Sequence, residues 1–257
     1  MHSMLFNEIV FGPIMSRRFG KSLGINLLPL DNKICNFNCI YCECGWTDLR
    51  EVNSKFTSRE LVVKAMSERF FEIKKSNDIP DSITFAGNGE PTMHPDFAAI
   101  IDHTIRLRDE FLPGVKIVVL SNSALLGNQV VFNALNKVDA RVMKLDAGTE
   151  AQFVKIDQPL SRRKFRWYID RLKEFKGNLY IQTLFLRGRV NNENVDNTKE
   201  SEIIAWINIL KEINPIMVMI YSIDRETPAK GLEKISNLEL EGICQKVIDA
   251  GIPAKYF

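Results

Sequence analysis

Short apolar runs alternate with longer amphipathic stretches along the chain, and this alternation occurs six times. The apolar runs are nearly continuous, as in strands buried on both faces, and the stretches between them have helical length and period. Such alternation is typical of βαβ units with a parallel sheet. The predicted strands are residues 23–30, 82–86, 115–121, 140–146, 179–186 and 215–222, and the predicted helices are residues 59–75, 96–111, 128–137, 161–176, 200–213 and 238–250.

Six strand–helix units fit either a doubly wound open sheet or an incomplete barrel, because a complete barrel of this type needs eight units. Periodicity alone does not choose between these architectures. Since no linker rich in Gly, Ser or Pro divides the chain, we predict one α/β domain over residues 1–257, with residues 1–22 as an N-terminal lead-in. Ligands bind at the carboxyl ends of the strands in both architectures, so we expect the functional residues there.

The composition limits the function classes. Lys plus Arg is 34 and Asp plus Glu is 32, which gives a formal net charge of +2. With 45% hydrophobic and 26% charged residues, the chain has the proportions of a globular protein and not of a disordered or fibrous one. The near-zero charge argues against a generally basic protein that coats nucleic acid. No apolar run approaches the roughly 20 residues of a membrane span, and no secretory signal is recognisable, so we expect a cytoplasmic protein without membrane partners.

Four of the five cysteines are crowded into one short segment, at Cys35, Cys39, Cys42 and Cys44. In a cytosolic chain such crowding indicates a soft-metal site and not a disulfide framework. Structural zinc usually takes two separated ligand pairs, and no second Cys or His pair follows this segment. An iron–sulfur cluster suits the spacing better. Cys244 lies in an apolar helical pattern and is expected to be packed in the core.

The number of cluster ligands decides between two functions. Four ligands, with Cys44 as the fourth, would close every iron and make a non-catalytic electron carrier. Three ligands would leave one iron open to a substrate or cofactor. Because Cys44 follows Cys42 by only two residues, ligation by both is awkward, and we favour Cys35, Cys39 and Cys42 as the metal ligands.

The Cys-x3-Cys-x2-Cys triplet with Tyr41 before its last cysteine resembles the signature of the radical S-adenosylmethionine (SAM) superfamily. The resemblance implies a partial (β/α)6 barrel of the TIM type. It also implies a [4Fe–4S] cluster on three cysteines, with the amino and carboxylate groups of S-adenosyl-L-methionine chelating the fourth iron. Reductive cleavage of S-adenosylmethionine would then yield a 5′-deoxyadenosyl radical, which abstracts hydrogen from a substrate.

The segment Gly87-Asn88-Gly89-Glu90-Pro91 is similar to the Gly-Gly-Glu-Pro motif of that family, with Asn88 in place of the first glycine. Glycine allows a close backbone approach to a ligand, and the resemblance implies that Glu90 accepts hydrogen bonds from the ammonium group of the methionine moiety. The alternative interpretation is a plain turn before the second predicted helix, which Gly and Pro also favour.

Further cofactor contacts are expected where the predicted strands end. Asn122 is placed for the cofactor carboxylate or ribose, although Asn also favours a helix cap. Lys144 and Asp146 follow an apolar strand and would bind the carboxylate and the ribose, or pair with each other. The predicted cofactor-binding residues are Tyr41, Gly87, Asn88, Gly89, Glu90, Asn122, Lys144, Asp146 and Gln182. No catalytic residue is predicted, since no convincing nucleophile–base constellation occurs.

Within the superfamily the chain resembles the group that forms wyosine-type tRNA bases, and its uncharacterised relatives. The resemblance rests on Gly12-Pro13 with Ser16-Arg17-Arg18, on Gly24-Ile25-Asn26, and on Lys144-Leu145-Asp146 with Ile156-Asp157-Gln158-Pro159. The tRNA enzymes carry additional cysteines for a second cluster, or a flavin domain, whereas here no cysteine precedes Cys35 and no flavodoxin-like segment is recognisable. A glycyl-radical activating enzyme and a peptide modifier therefore stay open beside an RNA base or a small metabolite as substrate.

Two basic segments bear on the partners. Arg17 and Arg18 precede the first predicted strand and would recognise an anionic substrate group or the cofactor carboxylate, or form a solvated turn. The fourth predicted helix carries a basic face that would be solvated or would steer RNA; its basic residues are Arg162, Arg163, Lys164, Arg166, Arg171 and Lys173. The resemblance further implies an external electron donor of the flavodoxin or ferredoxin type.

Overall fold

The computed structural model describes residues 4–47 and 56–257. The strands are β1 (Val10–Ser16), β2 (Gly20–Ile25), β3 (Ser82–Phe85), β4 (Lys116–Ser121), β5 (Ala140–Lys144), β6 (Tyr180–Val190), β7 (Glu193–Asp196), β8 (Met217–Ser222), β9 (Leu232–Lys234) and β10 (Ala254–Tyr256). The helices are α1 (Arg59–Ser76), α2 (Phe97–Phe111), α3 (Gln129–Leu135), α4 (Glu150–Asp157), α5 (Phe165–Lys173), α6 (Glu200–Ile213) and α7 (Asn237–Asp249). In the described part of the chain, one 3-10 turn occurs, at Pro91–Met93.

The strands form one sheet in the order β1-β2-β3-β4-β5-β6-β8-β10. All pairs from β2 to β10 along this order are parallel, and β1 pairs with β2 antiparallel. At least one helix follows each parallel strand except β10, which gives six strand–helix units and a closing strand. The predicted α/β class and partial (β/α)6 barrel are thereby confirmed.

Several elements were not predicted. The first parallel strand covers Gly20–Ile25 and not 23–30, and it forms a hairpin with β1 inside the predicted lead-in. Helix α4 (Glu150–Asp157) is absent from the prediction, and α5 is shorter than the predicted 161–176. The short strands β7, β9 and β10 were also missed, since three or four residues leave little periodicity to detect.

The sheet separates two apolar regions because successive side chains of a strand point to opposite faces. In β4, Ile117 and Val119 belong to the main core between the sheet and the helices. Val118 alternates with them and packs on the other face with Met219 of β8 and Phe19 of the β1–β2 turn. This second face is the inner side of the partial barrel. Among the described residues, no helix is both long and apolar enough to cross a bilayer.

Candidate active site

The cysteine segment follows β2 and is held at two sides by backbone hydrogen bonds. On one side, Ile34 N donates to Asn88 O at 2.9 Å and Glu90 N donates to Ile34 O at 3.0 Å. On the other side, Ile40 N donates to Ile156 O at 3.0 Å, at the end of α4. The loop is therefore fixed over the carboxyl ends of β3 and β5, where the sequence predicts the functional residues.

The predicted cluster ligands lie together in this loop as free thiols. Cys39 is buried, and Cys35 and Cys42 are half-buried. The three thiols interact electrostatically with one another, yet no three Cys, His, Asp or Glu side chains of the described residues converge on one metal ion. Iron–sulfur clusters are held by cysteine thiolates, which is the donor set that these three neighbouring cysteines offer.

A buried lysine that sequence analysis missed lies beside these thiols. Lys33 is 5% exposed, and its Nζ donates to Gly45 O at 2.8 Å. Burial by itself lowers the pKa of Lys33, but the negative charge that Cys42 and the other cysteines carry when they ionise outweighs burial and raises it. Lys33 therefore places a positive charge where the cysteines carry negative charge. Nothing in the sequence signals this role, because Lys33 directly follows the polar residues Asp31 and Asn32 and there resembles a residue of an exposed turn.

The thiols differ in acidity. Burial raises the pKa of Cys35 to about 12. A hydrogen bond from Cys44 is the main reason that the pKa of Cys42 falls to about 5, and Lys33 adds to the effect. The Cys44 thiol has a single proton, and Gly87 O, 3.4 Å from its sulfur, is a second acceptor for it. Cys44 thus supports the Cys42 thiolate, the form that binds metal.

The two glycines of the Gly87–Glu90 segment are required by close packing. At Gly89, with φ +132°, a Cβ would lie 1.8 Å from the carbonyl oxygen of Ile34. At Gly87, with φ +142°, it would lie 2.4 Å from Asn26 Oδ1. Glycine is the residue that combines this backbone conformation with this proximity. The cysteine loop can therefore approach the strand end only because both positions lack a side chain.

Glu90 is buried at the centre of a hydrogen-bond network. Its Oε1 accepts from Thr92 N at 3.2 Å, from Thr92 Oγ1 at 2.5 Å and from Ser121 Oγ at 2.9 Å. Its Oε2 accepts from Asn122 N at 2.7 Å. Burial raises the pKa of Glu90, and the hydrogen bond from Asn122 opposes the rise. A carboxylate offers about four lone-pair positions, so Oε2 can accept one further donor.

Asn122 joins this network to the cysteine loop. Its Nδ2 donates to Asn36 Oδ1 at 2.7 Å and approaches Cys35 Sγ at 3.6 Å. Asn88 is also buried, but its amide is used internally: Nδ2 donates to Pro29 O at 2.8 Å and Oδ1 accepts from Phe6 N at 2.8 Å. Asn88 thus joins three chain segments, and a cofactor contact from its side chain stays a prediction.

A second polar group lies beside Cys39. Lys144 forms ion pairs with Asp146 and with Asp157, the latter at 2.8 Å. The Tyr41 hydroxyl donates to Asp146 and accepts from Lys144. Burial by itself lowers the pKa of Lys144, but the carboxylates of Asp146 and Asp157 raise it well above its usual value. Lys144 and Asp146 therefore do pair with each other, and both lie at the predicted site.

Gln182 lies on β6 next to Lys144 of β5 in the parallel register. Its Oε1 accepts from Arg18 Nη1 at 2.6 Å. The predicted residues therefore gather in two adjoining groups at the carboxyl ends of the strands. One group contains Cys35, Glu90 and Asn122, and the other contains Tyr41, Lys144 and Asp146.

The sequence profile of the Radical SAM superfamily matches residues 32–201, which include the three cysteines and both polar groups. The chain belongs to the radical SAM superfamily. A UPF0026 protein of Helicobacter pylori is 35% identical over 246 residues, covering 92% of this chain and 75% of that protein. The predicted resemblance to the radical SAM superfamily is confirmed.

Solved structures of radical SAM proteins share the fold. A radical SAM methyltransferase from Sphaerobacter thermophilus has a TM-score of 0.67 at 12% identity, over 92% of this chain and 65% of that one. An archaeal TYW1 has a TM-score of 0.53 at 13% identity, over 89% of this chain and 72% of that one. At these identities the likeness concerns the radical SAM fold.

Three residues of the basic face predicted on the fourth helix, Arg166, Arg171 and Lys173, form ion pairs with carboxylates. Arg166 and Lys173 of α5 both contact Glu212, with Nη2 and Nζ at 2.7 and 3.1 Å from Oε2. Arg171 pairs with Glu174 at 2.6 Å. These exposed ion pairs balance the charge of α5 itself, whereas Arg162 and Arg163 precede α5, and an RNA partner stays a prediction.

Proposed function

We propose that this radical SAM protein is an enzyme that binds a [4Fe–4S] cluster through Cys35, Cys39 and Cys42 and cleaves S-adenosylmethionine reductively. The observation that carries the proposal is the contact between the cysteine loop and the Glu90–Asn122 network, since it places the only crowded thiols beside a buried carboxylate with accepting capacity left. When bound, the cluster and S-adenosylmethionine supply a 5′-deoxyadenosyl radical that abstracts hydrogen from the substrate.

The residues around the cysteines would bind and orient the cofactor. Oε2 of Glu90 would accept a hydrogen bond from the ammonium group of S-adenosylmethionine, while Thr92 and Ser121 fix the carboxylate in place. The Lys144–Asp146 pair would offer a cation to an anionic cofactor group and an acceptor to a hydroxyl. These groups are ordered by the fold itself, so they need little rearrangement on binding.

The protein would also control the charge around the cluster and the access of water to it. Lys33 opposes the negative charge of the thiolates, and the apolar side chains around Cys39 restrict water. The electron would come from an external donor of the flavodoxin or ferredoxin type, because the described residues contain no second crowded cysteine group. The substrate reacts on the inner side of the barrel, next to the two polar groups.

Anaerobic reconstitution with iron and sulfide tests the proposal. With dithionite as reductant, the wild-type protein should release 5′-deoxyadenosine from S-adenosylmethionine, measured by liquid chromatography. Cys39→Ala should lose the cluster and this product, because a cluster ligand is missing. Cys244→Ala is the matched control, since Cys244 is a buried thiol of α7 outside the site, and it should retain both.

Spectroscopy separates the enzyme from a four-cysteine electron carrier. The EPR spectrum of the reduced cluster should change when S-adenosylmethionine is added, because one iron is open to it. An unchanged spectrum, or 5′-deoxyadenosine release by Cys39→Ala at the wild-type rate, would contradict the proposal.

A further inference from the structure

The turn between β1 and β2 inserts an arginine into the inner side of the barrel. Phe19 of this turn packs with the inward-facing Val118 and Met219, so the turn folds under the barrel and not away from it. Arg18 extends further: Nη1 donates to Gln182 Oε1 at 2.6 Å, and its guanidinium carbon lies 4.5 Å from the centre of the Tyr221 ring. The guanidinium is thus oriented by two side chains from β6 and β8.

Arg18 has no carboxylate within ion-pair distance among the residues that the structure describes. Its neighbour Arg17 differs, since Arg17 lies on the outside and pairs with Asp224 at 3.6 Å. Lys144, the other inner cation, is occupied by Asp146 and Asp157. Arginine inside a protein is normally paired with an anion. The half-buried Arg18 is therefore a fixed cation without its counter-charge.

A cavity of about 380 Å³ adjoins this cation. Arg18 and Phe19 form one side of it, and the rest is formed largely by first residues of the parallel strands, such as Lys116 and Met217, so the cavity lies at the amino ends of the strands. Asp81 and Lys116 lie at the rim with opposite charges, and the Asp81 carboxylate already accepts Lys21 N at 2.7 Å. The volume suits a ligand of metabolite size and is at the small end of known ligand pockets. A nucleic acid would not enter it.

We propose that Arg18 binds the anionic group, carboxylate or phosphate, of a small ligand inside the barrel. A guanidinium presents paired donors that match the two oxygens of either group, and hydrogen bonds to Gln182 and Tyr221 occupy only part of its five N–H donors. Because the cavity lies at the opposite end of the barrel from the cysteine loop, this anion site is separate from the proposed site of S-adenosylmethionine cleavage. The ligand class is a small organic acid or phosphate ester.

Calorimetric titration of the cluster-loaded full chain tests this site. Inorganic phosphate and malonate are the probes, used separately at constant ionic strength, with S-adenosylmethionine present to occupy the open iron. One anion or both should bind at a single site. The anion that binds with the higher affinity shows whether the site prefers a phosphate or a carboxylate group. Arg18→Gln should weaken binding about tenfold or more, equal to about 1.4 kcal/mol. Arg17→Gln, the matched control on the outside, should bind as the wild type does.

A second measurement, on the wild-type protein, tests the anion site even if the Arg18→Gln variant does not fold. Phenylglyoxal modifies accessible arginines, and mass spectrometry reports each site. The bound anion should slow modification of Arg18 and leave that of Arg17 unchanged. The proposal is overturned if neither anion binds, if Arg18→Gln binds with wild-type affinity, or if the anion protects both arginines equally. None of these readouts depends on S-adenosylmethionine cleavage, so loss of the anion site and loss of the proposed activity are distinguishable.

Discussion

Replacement of Gly89 by alanine should destabilise the cysteine loop more than its backbone conformation alone explains. The new Cβ would lie 1.8 Å from Ile34 O, and this contact opposes the two hydrogen bonds that join Ile34 to Asn88 and Glu90. A strained φ costs about 1–3 kcal/mol, and two lost hydrogen bonds cost about 0.5–1.5 kcal/mol each. The free energy of unfolding should therefore fall by about 2–6 kcal/mol, a large part of the usual 5–15 kcal/mol of a domain.

Substitutions at two other glycines separate the cost of the strained backbone conformation from the cost of the close contact. Gly114 has φ +85°, and a Cβ added there would meet nothing within 4 Å, so Gly114→Ala reports the strain alone. Gly242 lies in α7 with the same open space and no positive φ, so Gly242→Ala should stabilise by about 0.5–1 kcal/mol through helix propensity. Urea unfolding followed by circular dichroism gives the three values, and iron content after reconstitution reports the loop. The reasoning is refuted if Gly89→Ala costs no more than Gly114→Ala and loads iron normally.

The remaining predictions concern charge, thiols and packing. Lys33→Met should lower the reduction potential of the cluster, because a cation beside it favours the reduced, more negative state; potentiometric EPR titration measures this, and an unchanged potential contradicts it. Cys44→Ser should keep wild-type iron content, whereas loss of the cluster would make Cys44 a ligand. Asn88→Ala should cost about 1–3 kcal/mol by leaving buried backbone groups unpaired, as urea unfolding would show. Glu212→Gln should change stability by at most about 1 kcal/mol, since its ion pairs are exposed; a larger loss would show that α5 depends on them.

Local patterns predicted the repeating part of the fold because they report burial directly. The strands of the parallel sheet from β3 to β8 carry apolar runs, and the predicted segments overlap all of them. The antiparallel β1 was not recognised, since its half-exposed residues show no clear alternation. Helix α4 was missed for a similar reason: with only eight residues, it is short and gives a weak periodic signal.

The sequence by itself determined the superfamily of this protein, because the spacing of Cys35, Cys39 and Cys42 and the Gly-Glu-Pro motif that begins at Gly89 are properties of contiguous residues. Only the tertiary structure decided which charges are neutralised. Lys144 is paired with Asp157, whereas Arg18 is left without a described carboxylate, and neither fact is visible locally. The physical reason is that burial and Coulomb interactions depend on distances in space, and the fold brings Arg18 to Gln182 across 164 residues of chain.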